Sequence, residues 1–358
     1  MGKGHALLAG GGTGGHVFPA IAVGEALAAR GFSVSFTGLA DGMEARLVSA
    51  RGLRFDPLPA RPVLGKTAAQ KATAFWTLMR SALAARGLVK RLDTRVVVGT
   101  GGYVSAPAVL GAWLARRPAF LVEPNARAGA ANRWLSRFAK GAAVAHEEAR
   151  AQLRCASEVL GVPVRDVFFS VPDPTFSGSP RLLILGGSQG ARALNRELPP
   201  AIAALQSRFA GLAVVHQAGA KQLEETRAAY AAAGARANVL AFIDDVAAAM
   251  SGAWLVVSRA GAITTAEICA SGRGSLLLPL EIAAGHQEDN ARALERHGAA
   301  RVLVAGEATA AGLERALGEL LSAPATLGEM ARVARALARP GAAAAIAERV
   351  EAVTEARR

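Results

Sequence analysis

The chain contains few cysteines, few tyrosines and few charged residues. Its 358 residues include two cysteines and two tyrosines; 19% are charged and 52% are hydrophobic. This composition excludes an intrinsically disordered chain and a coiled coil, and a typical domain of about 150 residues predicts two domains. Cys155 and Cys269 cannot form a C-x-x-C pair or a disulfide framework, which predicts a reducing compartment.

The sequence also shows no pattern typical of a membrane-spanning helix or of a secretory leader, although its mean hydropathy is positive at +0.27. The uncharged stretch Val96–Ala115 is 20 residues long, but it has glycines and Pro107 in its middle. It therefore predicts a strand, a turn and a helix rather than one span. The first residues lack the basic and then apolar pattern of a leader, and we expect no span and no leader.

Metal-binding and nucleic-acid-binding patterns are absent from the sequence. There is no Asp-x-Asp, and the six histidines have no i,i+4 spacing and no cysteine partner, so we predict neither a metal site nor a cofactor. No zinc-finger spacing, RNP stretch or P-loop occurs, which excludes a nucleic-acid module and a P-loop kinase. Helix dipoles and arginines would have to neutralise any bound phosphate.

Basic charge is concentrated in the first half of the chain. The formal net charge is +13, of which residues 1–162 carry +12 and residues 163–358 carry +1. Such asymmetry is typical of a protein with a polyanionic partner: a nucleic acid, an anionic membrane surface or a phosphorylated substrate. A soluble, arginine-rich surface with no such partner is the alternative.

The segment 61–95 combines eight basic residues with aromatic and aliphatic side chains. A basic, amphipathic helix with aromatic residues suits the headgroup region of an anionic bilayer. Alternatively, Phe75, Leu78, Met79 and Leu83 follow helical spacing and face the protein core. The sequence leaves both interpretations open.

Strands and helices alternate in two tandem halves. His5–Ala9 predicts a strand, followed by a glycine turn and a helix from about Pro19; Leu182–Leu185, a second glycine turn and a helix from Ala191 repeat the arrangement. The alternation predicts two doubly wound, Rossmann-like α/β domains facing across a cleft. We place them at 1–162 and 163–339, with a helix over 340–358 that could return to the first domain.

Two glycine turns and a third helix start are candidate phosphate sites. Gly10-x-Gly12-x-x-Gly15 matches the dinucleotide fingerprint, but no acidic residue ends the second predicted strand, so a nicotinamide-dependent oxidoreductase is a weak alternative. Ser258–Glu267 follows a predicted strand with small residues, two threonines and a glutamate. It can bind an anion at a helix start, with Glu267 accepting ribose hydroxyls, or it can be an ordinary capped helix.

Six ordered motifs are spread over almost the full length of the chain: Gly11–Pro19, Gly101–Ser105, Pro163–Arg165, Gly186–Arg192, Phe242–Asp245 and Ser258–Glu267, followed by Gln287 with Asn290-Ala291. In these motifs the chain resembles the MurG family of N-acetylglucosaminyltransferases in bacterial peptidoglycan synthesis. The resemblance implies the two-domain GT-B glycosyltransferase fold and transfer of GlcNAc from UDP-GlcNAc to lipid I, undecaprenyl-pyrophosphoryl-MurNAc-pentapeptide, which gives lipid II.

The resemblance also implies roles for individual residues. In the second domain, Ile243 would meet the uracil through its backbone, Glu267 the ribose, and Gln287 the sugar. Further donor-binding residues would be Arg165, Ser188, Ala262, Ile263, Thr264, Thr265 and Ala266. In the first domain, the acceptor pyrophosphate would lie near Thr13, Gly14 and Gly15, with Asn125 beside the reacting sugar.

The expected chemistry is inverting transfer without a metal. The acceptor C4 hydroxyl would attack the anomeric carbon opposite UDP and give a β-1,4 bond while a base takes its proton. His16 is the first candidate base and Glu123 the second; alternatively, His16 only orients phosphate or backbone. The family usually has His-Glu-Gln-Asn where this chain has Val122–Asn125, and Asn where it has Val162. This chain therefore lacks any contribution that the His or Gln makes in the family.

The resemblance places the enzyme at the cytoplasmic face of the plasma membrane as a peripheral protein, docked through the basic first domain. Other functions remain as alternatives: another UDP-sugar enzyme of the same fold, such as an epimerase or a transferase with a soluble acceptor, and a non-catalytic nucleotide sensor.

Overall fold

The computed structural model describes residues 2–59, 68–187, 190–280 and 285–355, with residues 68–72 described by their backbone alone. The chain divides into two compact units. Unit 1 comprises residues 1–164 and 341–358, and unit 2 comprises residues 165–340.

Unit 1 is built on a parallel sheet of seven strands in the order β3-β2-β1-β4-β5-β6-β7. The strands are β1 (His5–Gly10), β2 (Ser33–Gly38), β3 (Phe55–Pro57), β4 (Thr94–Gly101), β5 (Ala119–Glu123), β6 (Gly141–Val144) and β7 (Ser157–Val159). The helices are α1 (Gly14–Ala29), α2 (Met43–Ser49), α3 (Ala68–Arg91), α4 (Ser105–Leu114), α5 (Ala130–Leu135) and α6 (Glu147–Arg150). Because the strand order reverses between β1 and β4, ligands are expected at the carboxyl ends of these two strands.

Two local expectations for unit 1 are tested by these bounds. Helix α1 begins at Gly14, five residues before the expected start, and encloses Pro19. Pro19 is the sixth residue of the helix; its φ is fixed at a helical value, but it has no N–H to donate to the carbonyl four residues earlier. The uncharged stretch Val96–Ala115 forms most of β4, a turn and α4, as its glycines predict. Within the described parts of the chain, no helix is both long and apolar enough to cross a membrane.

Unit 2 is built on a parallel sheet of six strands in the order β10-β9-β8-β11-β12-β13. The strands are β8 (Arg181–Leu185), β9 (Ala213–Gln217), β10 (Asn238–Leu240), β11 (Leu255–Ser258), β12 (Gly274–Leu277) and β13 (Ala300–Val302). The helices are α7 (Arg192–Arg208), α8 (Leu223–Ala232), α9 (Val246–Ser251), α10 (Ala262–Ala270), α11 (His286–His297), α12 (Ala310–Leu321) and α13 (Pro324–Leu337). Here the order reverses between β8 and β11, so their carboxyl ends form the switch point of this sheet.

The C-terminal helix α14 (Ala342–Glu355) packs on unit 1 although it follows unit 2 in the chain. Its Ile346, Ala347 and Val350 are fully buried in the same core cluster as residues of α1. Glu351 forms ion pairs with Lys3 and with Arg30, whose Nη2 lies 2.7 Å from the carboxylate. Apolar burial and these ion pairs together hold the helix against the first domain.

Helix α3 buries one face and exposes the other. Small residues such as Ala82 and Ala85 are fully buried, and Ala85 packs so closely on Gly111 of α4 that a Cβ there would lie 2.5 Å from its own. By contrast, the exposed fractions of Phe75, Trp76 and Leu83 are 58%, 67% and 55%. Of Phe75, Leu78, Met79 and Leu83, which one interpretation placed toward the core, Leu78 packs against the core cluster. The interpretation is wrong for Phe75 and Leu83, because small residues make the contact with α4 instead.

Candidate functional site

In unit 1, the turn from β1 to α1 is a glycine loop in close contact with its neighbours. A Cβ on Gly10 would lie within 3.0 Å of Thr100 Oγ1 and of the His16 carbonyl oxygen. Gly12 has a φ of +85°, which favours glycine. Thr13 is the N-cap of α1, so the N–H groups of Gly14 and Gly15 belong to the first turn and have no intrahelical acceptor.

His16 is fixed at this loop by its Nδ1 atom. Nδ1 lies 3.1 Å from Thr13 Oγ1 and 3.2 Å from the Gly11 carbonyl oxygen. The ring packs on Gly101 at the end of β4, where a Cβ would lie 2.6 Å from Cδ2. If the Nδ1 proton is donated to the Gly11 carbonyl, Nε2 carries the lone pair that a general base needs.

Glu123, at the end of β5, is surrounded by hydrogen-bond donors. It is 2% exposed. Its Oε1 accepts from the backbone N–H and the side-chain Nδ2 of Asn125, at 3.0 and 2.9 Å. Its Oε2 accepts from the Gly129 N–H at 2.8 Å and from Asn132 Nδ2 at 2.9 Å. Four donors compensate the buried carboxylate, which suits it to hold Asn125 in place.

Two of the three departures from the family pattern, Val122 and Pro124, flank Glu123 in this network. Val122 is 1% exposed and belongs to the core cluster beneath α1. Pro124 separates Glu123 from Asn125 without disturbing the hydrogen bonds between them. The contacts of Glu123 and Asn125 thus form without the usual His and Gln.

In unit 2, the turn after β8 is also formed by closely packed glycines. Gly187 and Gly190 have φ values of +77° and +72°. A Cβ on Gly186 would lie 2.6 Å from the Gln217 carbonyl oxygen, so only glycine fits there. The predicted donor-binding residue Ser188 lies outside the described residues.

The start of α10 only partly matches the expectation from its threonines. Gly261 is the N-cap and offers no side chain, so neither threonine caps the helix. Thr265 is 3% exposed, and its hydroxyl lies 3.1 Å from the carbonyl oxygens of both Gly261 and Ala262. The Thr265 hydroxyl proton is therefore donated within the helix and is not directed at an anion. Ala262, Ile263 and Thr264 occupy the first turn.

Glu267 lies one turn further along α10 and faces Arg165. Arg165 Nη2 is 3.8 Å from Glu267 Oε1, and the guanidinium stacks 4.9 Å from the centroid of the Phe168 ring. Burial raises the pKa of Glu267 to about 7, although the charge of Arg165 opposes this shift. Carboxyl groups whose pKa is raised to near neutrality by burial are enriched at functional sites.

Ile243 and Gln287 are held by further hydrogen bonds in unit 2. The Ile243 N–H donates to Gln217 Oε1 at 3.1 Å, and the residue is 7% exposed. Gln287, at the start of α11, accepts from the Leu280 N–H at 3.0 Å. In the same helix, Asn290 Nδ2 donates to the Ala260 carbonyl at 3.2 Å, which ties α11 to the loop before α10.

Three residues near these sites, Arg259, Asn132 and Glu44, are not among the site residues predicted from the sequence. Arg259 precedes α10; burial lowers its pKa, and a Cβ on Gly187 would lie 3.6 Å from its Nη2. Its place in the Ser258–Glu267 motif could have indicated it. Asn132 and Glu44 carry no such signal, because neither lies in a motif of the resemblance and their hydrogen bonds with Glu123 and Gly12 form only in the folded chain. Across the described ranges, no group of three or more His, Cys, Asp or Glu side chains could hold a metal ion.

Comparisons with known proteins agree for both units. The profile of the glycosyltransferase family 28 N-terminal domain matches residues 6–144, and that of the C-terminal domain matches residues 181–347. The UDP-N-acetylglucosamine--N-acetylmuramyl-(pentapeptide) pyrophosphoryl-undecaprenol N-acetylglucosamine transferase of Acidithiobacillus ferrooxidans (strain ATCC 53993 / BNL-5-31) is 43% identical over 347 residues, 95% of each chain. The Sorangium cellulosum enzyme of the same name is 43% identical over 95% of this chain and 86% of its own.

A solved structure supports the same relationship. The crystal structure of Acinetobacter baumannii MurG is similar with a TM-score of 0.84 and 34% identity, over 98% of this chain and 99% of that one. Together with the two parallel α/β sheets, these matches confirm the expected GT-B fold class.

Proposed function

Because the chain belongs to the MurG group within glycosyltransferase family 28, we propose that it transfers GlcNAc from UDP-GlcNAc to lipid I and so produces lipid II. The observation that carries this proposal is the match to named transferases over 95% of the chain, which includes both domains. The UDP-GlcNAc 2-epimerase of Neisseria meningitidis also aligns over 99% of this chain, but at 14% identity this likeness shows the fold alone.

In this reaction the oxygen of the acceptor C4 hydroxyl bonds to the anomeric carbon of GlcNAc. The bond from that carbon to the β-phosphate oxygen breaks, and UDP leaves with the electron pair. The hydroxyl proton passes to a base, and attack opposite the leaving group inverts the anomeric centre to give a β-1,4 linkage. Donors that stabilise the diphosphate and a base near the hydroxyl are therefore the groups the protein must supply.

Unit 2 is proposed to bind the donor. The first turn of α10 directs N–H groups at the diphosphate, and Arg259 adds positive charge beside Gly187, the residue that precedes Ser188 in the sequence. Glu267 accepts hydrogen bonds from the ribose hydroxyls, and Arg165 lies beside it. The N–H of Ile243 is already donated to Gln217, which leaves the Ile243 carbonyl for the uracil N3–H. Gln287 contacts the sugar.

Unit 1 is proposed to bind the acceptor. The pyrophosphate lies at the first-turn amides Thr13–Gly15, and Asn125 contacts the reacting sugar while Glu123 holds it in place. His16 is the proposed base, since its Nδ1 contacts fix the ring beside the loop. We propose no metal in this step, because helix N-termini and arginines supply the positive charge.

Helix α3 is proposed to dock on an anionic membrane surface at the cytoplasmic face. Phe75, Trp76 and Leu83 are exposed on the same side of the helix as Arg80 and Lys90. Aromatic and aliphatic side chains can enter the headgroup region while the basic side chains meet lipid phosphates. Arg61, Lys66 and the Lys71 side chain, part of the same predicted basic segment, lie outside the described residues.

UDP release from UDP-GlcNAc, with and without a lipid I analogue and in the presence of EDTA, tests the reaction. We expect release that depends on the acceptor and survives chelation. Release without acceptor would indicate hydrolysis or epimerase-like chemistry, and absence of release despite measurable UDP-GlcNAc binding would refute the transferase. Loss of activity in EDTA that Mg²⁺ restores would refute the metal-free step alone.

A further inference from the structure

A buried carboxylate lies directly beneath the glycine loop of unit 1. Glu44, in the first turn of α2, is 1% exposed. Its Oε2 accepts a hydrogen bond from the Gly12 N–H at 3.2 Å, and its Oε1 accepts from the Leu39 N–H at 3.0 Å. One carboxylate therefore links the loop before α1 to the end of β2.

Three glycines make room for this carboxylate. A Cβ on Gly11, Gly38 or Gly42 would lie within 3.0 Å of the Glu44 side chain. These positions belong to the loop after β1, the end of β2 and the residue before α2. The three chain segments thus converge on the Glu44 side chain, and a side chain at any of the three positions would collide with it.

The carboxylate fixes the part of the loop that precedes the helix amides. Gly12 is held from another side by Tyr103, since a Cβ there would lie 2.9 Å from the ring atom Cε1. The Gly12 N–H donates to Glu44, and this hydrogen bond sets the orientation of the Gly12 peptide. From Gly12 the chain enters α1, with the amides of Thr13, Gly14 and Gly15 at the helix start. A displaced Gly12 would rotate the peptide that leads into these amides.

From this geometry we propose that Glu44 is a positioning residue for the acceptor: it orients the Thr13–Gly15 amides toward the acceptor diphosphate without touching the substrate. The inference rests on the proposed function, which assigns the diphosphate to these amides. The negative charge of Glu44 is compensated by the Gly12 and Leu39 N–H groups. The carboxylate therefore acts by orienting backbone N–H groups of the loop, and not by contact with the bound diphosphate.

The first test is Glu44→Gln, measured by steady-state kinetics with a detergent-soluble lipid I analogue. The amide has one acceptor oxygen for two N–H donors, so its own NH2 group must face one of them. We expect the KM for the acceptor to rise by at least about tenfold, which is the effect of losing one charge-assisted hydrogen bond. The kcat should change little. The Kd for UDP-GlcNAc, measured by calorimetry, should not change, because the proposed donor site is in unit 2.

A second variant keeps the carboxylate and the loop sequence intact. Gly42 has a φ of −74°, so alanine fits its backbone, but the new Cβ would lie 2.6 Å from Glu44 Cδ and displace it. Gly42→Ala should reproduce the selective rise in acceptor KM, and it decides the matter if Glu44→Gln does not fold. Glu25→Gln, on the exposed part of α1, and Gly306→Ala, with open space around it, are the matched controls.

The outcomes separate the two proposals. If the wild-type protein shows no acceptor-dependent UDP release, the proposed function fails. If the wild type is active but the folded variants keep the wild-type acceptor KM, the positioning role of Glu44 is refuted. A fall in kcat alone, in proportion to the folded fraction, would equally overturn it, because a purely structural residue changes the amount of active enzyme and leaves KM unchanged.

Discussion

The pKa of Glu267 predicts that UDP-GlcNAc binding strengthens as pH rises through neutrality. Burial raises this pKa to about 7, and only the ionised carboxylate accepts hydrogen bonds from two ribose hydroxyls with both oxygens. One unit below the pKa about a tenth of the carboxyls are ionised, and one unit above about nine-tenths are. The affinity should therefore rise nearly tenfold between about pH 6 and pH 8.

Calorimetric titration with UDP-GlcNAc is a suitable assay, because its diphosphate diester does not titrate in this range. Glu267→Gln should bind more weakly and give a flat profile. Arg165→Gln should move the midpoint upward, since the Arg165 charge lowers the Glu267 pKa. Equal wild-type affinity at the two pH values, or a Gln variant that keeps the wild-type profile, would refute the reasoning.

The same shift has a consequence for stability in the absence of ligand. The folded-state pKa lies above the ordinary glutamate pKa of 4.5, so the contribution of this group to stability is fully present below about pH 4.5 and is lost as pH rises through about 7. A difference of about 2.5 pH units corresponds to about 3 kcal/mol. Relative to wild type, Glu267→Gln should therefore gain Tm progressively from pH 5 to pH 8; a constant difference would argue against the shift.

Three further substitutions test other parts of the proposal. His16→Ala should lower kcat by at least about tenfold if the imidazole is the base, and near-normal turnover would remove it from that role. Glu123→Gln should lower kcat/KM for the acceptor by about tenfold, because the amide turns its NH2 toward two of the four donors; an unchanged value would exclude the positioning of Asn125. Replacing Phe75, Trp76 and Leu83 together by serine should weaken co-sedimentation with anionic vesicles by at least about tenfold. Turnover of a soluble acceptor should not change. Co-sedimentation equal to that of the wild type would refute docking through α3.

Controls for these substitutions come from the same chain. Val167 is 49% exposed and lies in unit 2, so Val167→Ser should leave vesicle binding unchanged. The Kd for UDP-GlcNAc should remain at the wild-type value in the His16 and Glu123 variants. A parallel loss of donor affinity would show that either substitution disturbs more than the acceptor half of the site.

Local sequence determined the order of elements and the positions of the glycine turns. Each turn requires residues without a Cβ, as at Gly10 and Gly186, and such a requirement is visible in the sequence itself. The buried strands are continuous apolar runs, which is the pattern of parallel sheets. For the same reason the motifs that carry the family resemblance could be recognised in order along the chain.

Only the tertiary structure decided which side chains meet. Glu44 contacts a loop 32 residues away, and no local pattern predicts that pairing. From the sequence alone, the Thr265 hydroxyl could face either an anion or its own helix. With Gly261 as the N-cap, this hydroxyl donates to the Gly261 carbonyl oxygen, within the helix start. Likewise α3 has apolar residues on more than one side, and close packing of its alanines on α4 left Phe75, Trp76 and Leu83 exposed. Periodicity specifies which residues share a face, but the face that is buried depends on the shape of the neighbouring element.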